Sequence, residues 1–350
     1  MVKFMEFASS NSIFGDVYFG ISFVVLGTVL MGSLWYMYRT KSCPKQWRAD
    51  GKTILITGGN TGIGKWTALE LAKRVIARTE TVSGEEEGGG KTARRLLIPV
   101  IAISVTRGEE AAEFICSKVP CALVTVMKMD LSSLNSVRHF VKEFKAKYDK
   151  LDILINNAGV ALVPLTRSED GYELHFAVNH LGHFLLTCLL LDQLKASTEG
   201  ARIVVVSALA HKFVSINLKE INSEEGYVSW KAYSRSKLAN ILFARELTKL
   251  LKGSNVTVNS LHPGIVETDL LRHLVVYKVF RYCAWPFIKF FLKTPREGAQ
   301  TSVYVAVSPD LAGVSGKYFS DCDEASVSKE AEDDHLAQAL WKMSVEMTGL

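Results

Sequence analysis

Strand-length runs of Val, Ile and Leu alternate along the sequence with helix-length segments, and a glycine-rich turn lies inside the first such pair. An uncharged apolar stretch sits near the N-terminus. Together these predict an α/β protein: one doubly wound parallel sheet in a single domain, led by a transmembrane helix. With 350 residues, 48% of them hydrophobic, the chain can bury one large core and carry an appendage. Its net charge of +5 is spread along the sequence rather than gathered in a stripe, which argues against a nucleic-acid partner. Cys43, Cys116, Cys121, Cys188, Cys283 and Cys322 lack metal-ligand spacing and disulfide density, and read as reduced, mostly buried thiols of a cytosol-facing domain.

After a short segment, 1–16, the run at 17–38 (VYFGISFVVLGTVLMGSLWYMY) carries no charge. At about 1.5 Å per residue it spans a hydrocarbon core of about 30 Å. It closes on Trp35, Tyr36 and Tyr38, where a cleaved signal would show small residues. Arg39, Lys41, Lys45 and Arg48 follow in the linker 39–50, whereas the other flank offers Lys3 against Glu6 and Asp16. The positive-inside rule then places the main domain in the cytosol, behind a single-pass anchor in the lipid bilayer.

In the domain at 51–322, strands are expected at 53–57, 122–129, 151–156, 202–207 and 256–262, with helices at 65–74, 134–148, 176–195 and 233–251. The second strand is assigned to 96–104, with 75–78 as its competitor, because the Glu/Gly run at 83–91 has no apolar period. Residues 79–95 therefore read as a disordered surface insertion. Excising 83–91 should leave cofactor binding unchanged and shift the thermal midpoint by less than about 5 °C, since a polar run buries little apolar area. Residues 274–293 mix aromatics with Lys278, Arg281, Lys289 and Lys293, a pattern suited to a substrate lid on a membrane surface. Residues 323–350 are read as a C-terminal tail.

Two motifs carry chemistry. Thr57-Gly58-Gly59-Asn60-Thr61-Gly62-Ile63-Gly64 follows a strand and opens a helix. Glycines in that place allow a tight turn and bring backbone amides up to a pyrophosphate, the signature of a Rossmann-type dinucleotide site. Tyr233 and Lys237 stand four residues apart on one helical face, so the ammonium is expected to lower the phenol's pKa for general acid/base work.

These pieces, with Asp130-Leu131, Asn156-Asn157-Ala158-Gly159, VNHLGHF around Asn179, RIVVVS ending at Ser207, YSRSKLAN, and His262-Pro263-Gly264 followed by Thr268, resemble in order the short-chain dehydrogenases/reductases. LGHFLLT, SKLANILFARELT and the N-terminal run resemble the retinol dehydrogenase-like branch in particular. The resemblance implies hydride transfer between NADP(H) and a lipophilic alcohol, aldehyde or ketone, with retinoid leading and NAD(H) as the alternative cofactor. It implies that Gly58, Asn60, Thr61, Gly62, Ile63, Gly64, Asn157, Ala158 and Gly159 line the cofactor. Asp130, with Leu131, would meet the adenine, and Pro263, Gly264 and Thr268 the carboxamide end. Tyr233 would move the proton, Lys237 would tune it and bind ribose, and Asn179 would hold a relay water. His262 reads as structural. The branch also implies an endoplasmic reticulum or other intracellular membrane, and a homodimer is compatible with it.

The sequence departs from that family at Ser207-Ala208-Leu209-Ala210, where register puts Ala208 in the position of the substrate-binding serine. Ser207 can substitute only if the backbone slips, because neighbouring strand residues point to opposite sides. Losing that hydroxyl predicts a rate lower by about 10²- to 10³-fold, not a dead enzyme. No acidic residue directly follows Ser104, so the ribose signal for NAD is missing, and Arg107 or Arg78 is the candidate ligand for a 2′-phosphate. The alternatives are a steroid or lipid-aldehyde carbonyl reductase and, from another class, a catalytically impaired cofactor-binding membrane scaffold.

Overall fold

A computed structural model describes residues 47–74, 105–267 and 292–350, the backbone of Leu97–Ala102, and Gly32, Cys43 and Pro44. All of the anchor run but Gly32, the 79–95 insertion, Arg78, Thr268, Cys283 and nearly all of 274–293 lie outside the described residues. Among the described residues, no helix is long and apolar enough to cross a membrane.

Residues with apolar side chains on both strand faces must be covered on both sides, and the parallel sheet does this by alternation. Strands β1 (Ile54–Thr57), β2 (Leu97–Ala102), β3 (Leu123–Lys128), β4 (Ile153–Asn156), β5 (Ala201–Val206), β6 (Val256–His262), β7 (Tyr318–Ser320) and β8 (Asp323–Glu324) lie in the order β3-β2-β1-β4-β5-β6-β7-β8. All pairs are parallel except β7 with β8. Ile54, Ile56, Ile153, Ile155, Val204 and Val206 enter one core, against helices α1 (Gly62–Ala72), α2 (Val105–Lys118) and α8 (Pro295–Val307). Leu55, Leu154, Ile203, Val205 and Val258 enter the other, against α3 (Leu134–Lys147), α5 (Gly182–Leu189) and α7 (Ser229–Leu250). The sheet order reverses between β1 and β4, so the carboxyl ends of those strands open the crevice expected of a doubly wound sheet.

The second strand falls where the apolar run at 96–104 places it. Two expectations need correction. The helix expected over 176–195 is segmented: a single turn α4 (Leu174–Phe176), a π-helical turn (Ala177–Leu181), α5, and a short α6 (Leu191–Lys195). Residues 323–350 are not a tail, since they form β8 and helix α9 (Asp334–Thr348). The Asp333 side chain caps α9 at its start and Gly349, at φ 64°, ends it. Trp341 stacks on Phe243 with ring centroids 6.0 Å apart and meets Phe184 edge-on at 4.8 Å. Ser344 hydrogen-bonds His180 at 2.8 Å. α9 thus covers the outer face of α5 and α7.

Candidate active site

The cofactor end is built from the turn between β1 and α1. Gly58 takes φ +66°, and a side chain at Gly64 would overlap the Gly58 carbonyl oxygen and the Asn157 amide nitrogen. Thr61, at the N-cap of α1, makes no side-chain cap, so the first-turn amides of an 11-residue helix stay available to an anion. The Asn157 side chain donates to the Thr57 carbonyl at 2.8 Å, tying the β4 loop to the turn. These features fit a pyrophosphate: the backbone approaches closely where a Cβ has no room, and helix donors point outward.

Thr57 is the hub, and residue patterns alone left it without a role. His183 Nδ1 lies 3.1 Å from the Asn179 carbonyl, which can only accept, so Nδ1 carries the proton. Nε2 is then an acceptor, and the Thr57 hydroxyl donates to it at 2.8 Å. The Thr57 oxygen accepts in turn from the amides of Asn157 at 2.8 Å and Ala158 at 2.9 Å. Burial pushes His183 down to about 4, which keeps it neutral for this arrangement.

Tyr233 and Lys237 lie one turn apart near the start of α7, with Lys237 Nζ 5.9 Å from the Tyr233 ring centroid. Lys237 Nζ donates to the Val206 carbonyl at 3.1 Å, and a Cβ on Gly159 would lie 3.4 Å from it. The pair thus joins β5, the β4 loop and α7 at the carboxyl edge of the sheet. The expected lowering of the tyrosine pKa is not found: burial raises Tyr233 and pushes Lys237 down to about 8. At 5.9 Å from the ring, the ammonium is too weakly coupled to offset desolvation of a phenolate. A consequence follows for pH dependence. Steps that need the ammonium should weaken as pH rises through about 8, so kcat/KM for carbonyl reduction should fall above that pH. A profile flat to about pH 10, the ordinary lysine range, would contradict this.

Ser207 does not face the site. Its hydroxyl is buried and donates to the Lys237 carbonyl at 2.7 Å, while its amide continues the sheet to the Leu261 carbonyl at 2.7 Å. Ala208 is the half-buried neighbour, in extended conformation, so the pleat turns it the other way. Ser207 therefore braces α7 against β5, and Ala208 lies on the other side of the pleat.

Asn179 sits in the π-helical turn and is fully buried. Its side chain accepts from the Val160 amide at 2.9 Å and donates to the Val160 carbonyl at 3.0 Å and to Ser236 Oγ at 2.8 Å. It is a staple between the β4 loop and α7. Asp130 Oδ1 accepts from the amide and hydroxyl of Ser132 at 2.8 and 2.7 Å, while Ser133 caps α3. Leu131 is a core residue, its carbonyl pressed against Gly182. Arg107 is exposed in the first turn of α2, just past the carboxyl end of β2. After β6, Gly264 takes φ +90° and donates to His262 Nδ1 at 2.9 Å, and His262 Nε2 meets Ser320 Oγ at 2.9 Å. Lys293, ion-paired with Asp321, packs under Gly264, another contact that sequence patterns do not reveal. Of the described cysteines only Cys43 is buried, a correction to the expectation of mostly buried thiols.

A dinucleotide cradle and a Tyr/Lys pair meeting on one sheet edge define the chain as a Rossmann-type oxidoreductase. Residues 81–276 match the family of short chain dehydrogenases. Retinol dehydrogenase 14 of Mus musculus is 45% identical over 92% of this chain and 96% of its own. Retinol dehydrogenase 11 of Homo sapiens is 43% identical over 88% and 89%. The chain belongs to the short-chain dehydrogenase/reductase family, whose members use NAD(P)(H), and its relatives include retinol dehydrogenases. Among solved structures, an uncharacterized Mycobacterium paratuberculosis protein shares 30% identity at TM-score 0.65 over 88% of this chain and 98% of that one. The Pseudomonas aeruginosa RhlG/NADP active-site complex shares the fold at TM-score 0.59 and 22% identity, covering 79% of this chain and 97% of that one.

Proposed function

We propose that this protein is a membrane-anchored reductase/dehydrogenase that uses NADP(H) on a lipophilic alcohol, aldehyde or ketone, with retinol and retinal as the leading substrates. The observation that carries the reading is the Tyr233/Lys237 pair against Gly159, next to the pyrophosphate cradle. When bound, the nicotinamide supplies or accepts the hydride. Gly58, Asn60, Thr61, Gly62, Ile63, Gly64, Asn157, Ala158 and Gly159 hold the dinucleotide through backbone approach, with Asp130 toward the adenine and Pro263 and Gly264 toward the carboxamide. Tyr233 gives its phenolic proton to the carbonyl oxygen during reduction, or takes it from the alcohol during oxidation. Lys237 binds ribose and places a positive charge one helical turn from the phenol. Arg107, beside the crevice, takes the 2′-phosphate of NADP(H).

The lipophilic substrate and the bilayer are supported by where exposed apolar side chains collect. Leu165, Leu209, Phe213 and Ile265 follow the carboxyl ends of β4, β5 and β6, and Val228 and Trp230 precede Tyr233. Phe213 is 67% and Ile265 62% exposed. Lys212 and Lys231 are exposed beside Phe213 and Trp230, a composition suited to a headgroup layer. The Cys43 thiol lies 3.9 Å from the Cys322 thiol, in the turn after β7 at the same edge. Four residues separate Tyr38 from Cys43, so five Cα–Cα steps at full extension keep the end of the anchor run within about 18 Å of Cys43.

Two measurements test the reading. Full-length protein in nanodiscs should reduce retinal with NADPH faster than with NADH, and faster than it reduces a steroid ketone or a lipid aldehyde. Failure to turn over any carbonyl would leave the scaffold reading in its place. Deleting Met1 to Tyr38 should release the chain into the supernatant of a carbonate wash, and its persistence in the pellet would refute the anchor.

A further inference from the structure

The loop that follows β4 is pinned at two points. At its start, Asn179 holds both the amide and the carbonyl of Val160. Three residues on, Val163 is held the same way by other side chains: its amide donates to His175 Nε2 at 3.4 Å, and its carbonyl accepts from the Tyr227 hydroxyl at 3.0 Å. Since Nε2 accepts, His175 carries its proton on Nδ1 and donates to Glu173 Oε1 at 2.6 Å. Glu173 also accepts from the amides of His175 at 3.1 Å and Phe176 at 2.9 Å, so it caps α4 while orienting the imidazole. Burial works to raise the Glu173 carboxyl, but these donors outweigh it and hold the group below the ordinary carboxylate range. Glu173 and His175 are buried, and the His175 ring meets the Tyr233 ring edge-on, centroids 6.3 Å apart.

Between the two pins lies Leu162, at φ +56°. Bulky L-residues avoid this left-handed region, and such strain persists where the surroundings over-determine it, most often at functional sites. Leu162 is half-buried, yet it packs against none of the three apolar cores found among the described residues. Its loop starts beside Lys237 Nζ, at Gly159, and ends beside Tyr233, through His175. A constrained apolar side chain, unused by the core and bracketed by the catalytic pair, has a ligand as its natural neighbour.

We propose that Glu173, His175 and Tyr227 form a clamp that sets Leu162 as an apolar wall of the substrate site, making Leu162 a specificity-determining residue and the clamp its positioning residues. This rests on the lipophilic-substrate reading above. The wall favours bulky apolar substrates, because a short chain does not reach enough of it to gain from the contact.

The test uses full-length protein in detergent micelles with retinal and butanal as substrates. Leu162→Gly, which tolerates the backbone angle, should lower kcat/KM for retinal by about 10-fold or more while leaving butanal turnover and NADPH affinity unchanged. Tyr227→Phe and His175→Phe should produce the same selective loss, and should speed hydrogen exchange at the Val163 amide at least tenfold, which Leu162→Gly should not. Tyr227→Phe removes only one hydroxyl and serves where His175→Phe fails to fold. Equal losses on both substrates, or unaltered Val163 exchange in both clamp variants, would overturn the proposal. If the wild type reduces butanal but not retinal, the retinoid reading fails; the clamp then stands or falls on Val163 exchange and on the ratio between butanal and the bulkiest carbonyl turned over.

Discussion

Tyr233→Phe should lower the turnover number by at least about 10²-fold, the range expected for loss of a positioned general acid. NADPH affinity should stay within about twofold, because the phenol acts on the substrate oxygen while the dinucleotide is held by the glycine turn and Lys237. The local structure favours a clean comparison: the edge contact with His175 is a ring contact and survives in phenylalanine. Lys237→Ala should behave differently. It removes the ammonium that donates to the Val206 carbonyl and lies beside Gly159, so cofactor affinity and turnover should fall together. Stopped-flow hydride transfer and fluorescence titration with NADPH separate the two variants. Retention of more than about a tenth of wild-type turnover in Tyr233→Phe would remove Tyr233 from the proton-transfer role.

Ala208→Ser should raise the turnover number by about 10-fold or more, by supplying one hydrogen bond that strengthens as charge develops on the substrate oxygen. The half-buried, extended Ala208 has its side chain on the face opposite the buried Ser207, so a hydroxyl there would not be drawn into the Lys237 carbonyl. Ser207→Ala is the matched control. It deletes a buried hydrogen bond, at a cost of about 1 kcal/mol in stability, and should lower the thermal midpoint while turnover at a permissive temperature holds. A large loss of turnover in Ser207→Ala, with no gain in Ala208→Ser, would show that Ser207 supplies the missing hydroxyl after all.

The two serine-position variants also mark how far residue patterns reach. The departure at Ala208 is visible in the sequence, and so is the conflict it creates with Ser207. Which of the two faces the crevice depends on the pleat of β5 and on Lys237 offering a carbonyl from a helix thirty residues later. The Tyr233 pKa is a similar case. Spacing shows that Lys237 shares its helical face, but the sign of the shift depends on how much water the fold removes from both groups.

By itself the sequence determined the elements whose causes are local. The apolar runs place the strands, including β2 beyond the unusual Glu/Gly segment, and the glycines at 58 and 64 stand where a backbone needs to turn or approach closely. Order along the chain was enough for the parallel sheet and its crevice. What only the tertiary structure decided are arrangements that join residues distant in sequence. The π-helical turn at Asn179 exists alongside side-chain bonds to Val160 and Ser236, which no helical periodicity contains. The hub at Thr57 needs His183, the clamp needs Tyr227 to meet Glu173, and α9 needs the paired faces of α5 and α7 before it is anything more than a polar-looking end of the chain. Periodicity reports which side of an element is buried, whereas hydrogen-bond partners and ring contacts are chosen only when the packed sheet brings those sides together.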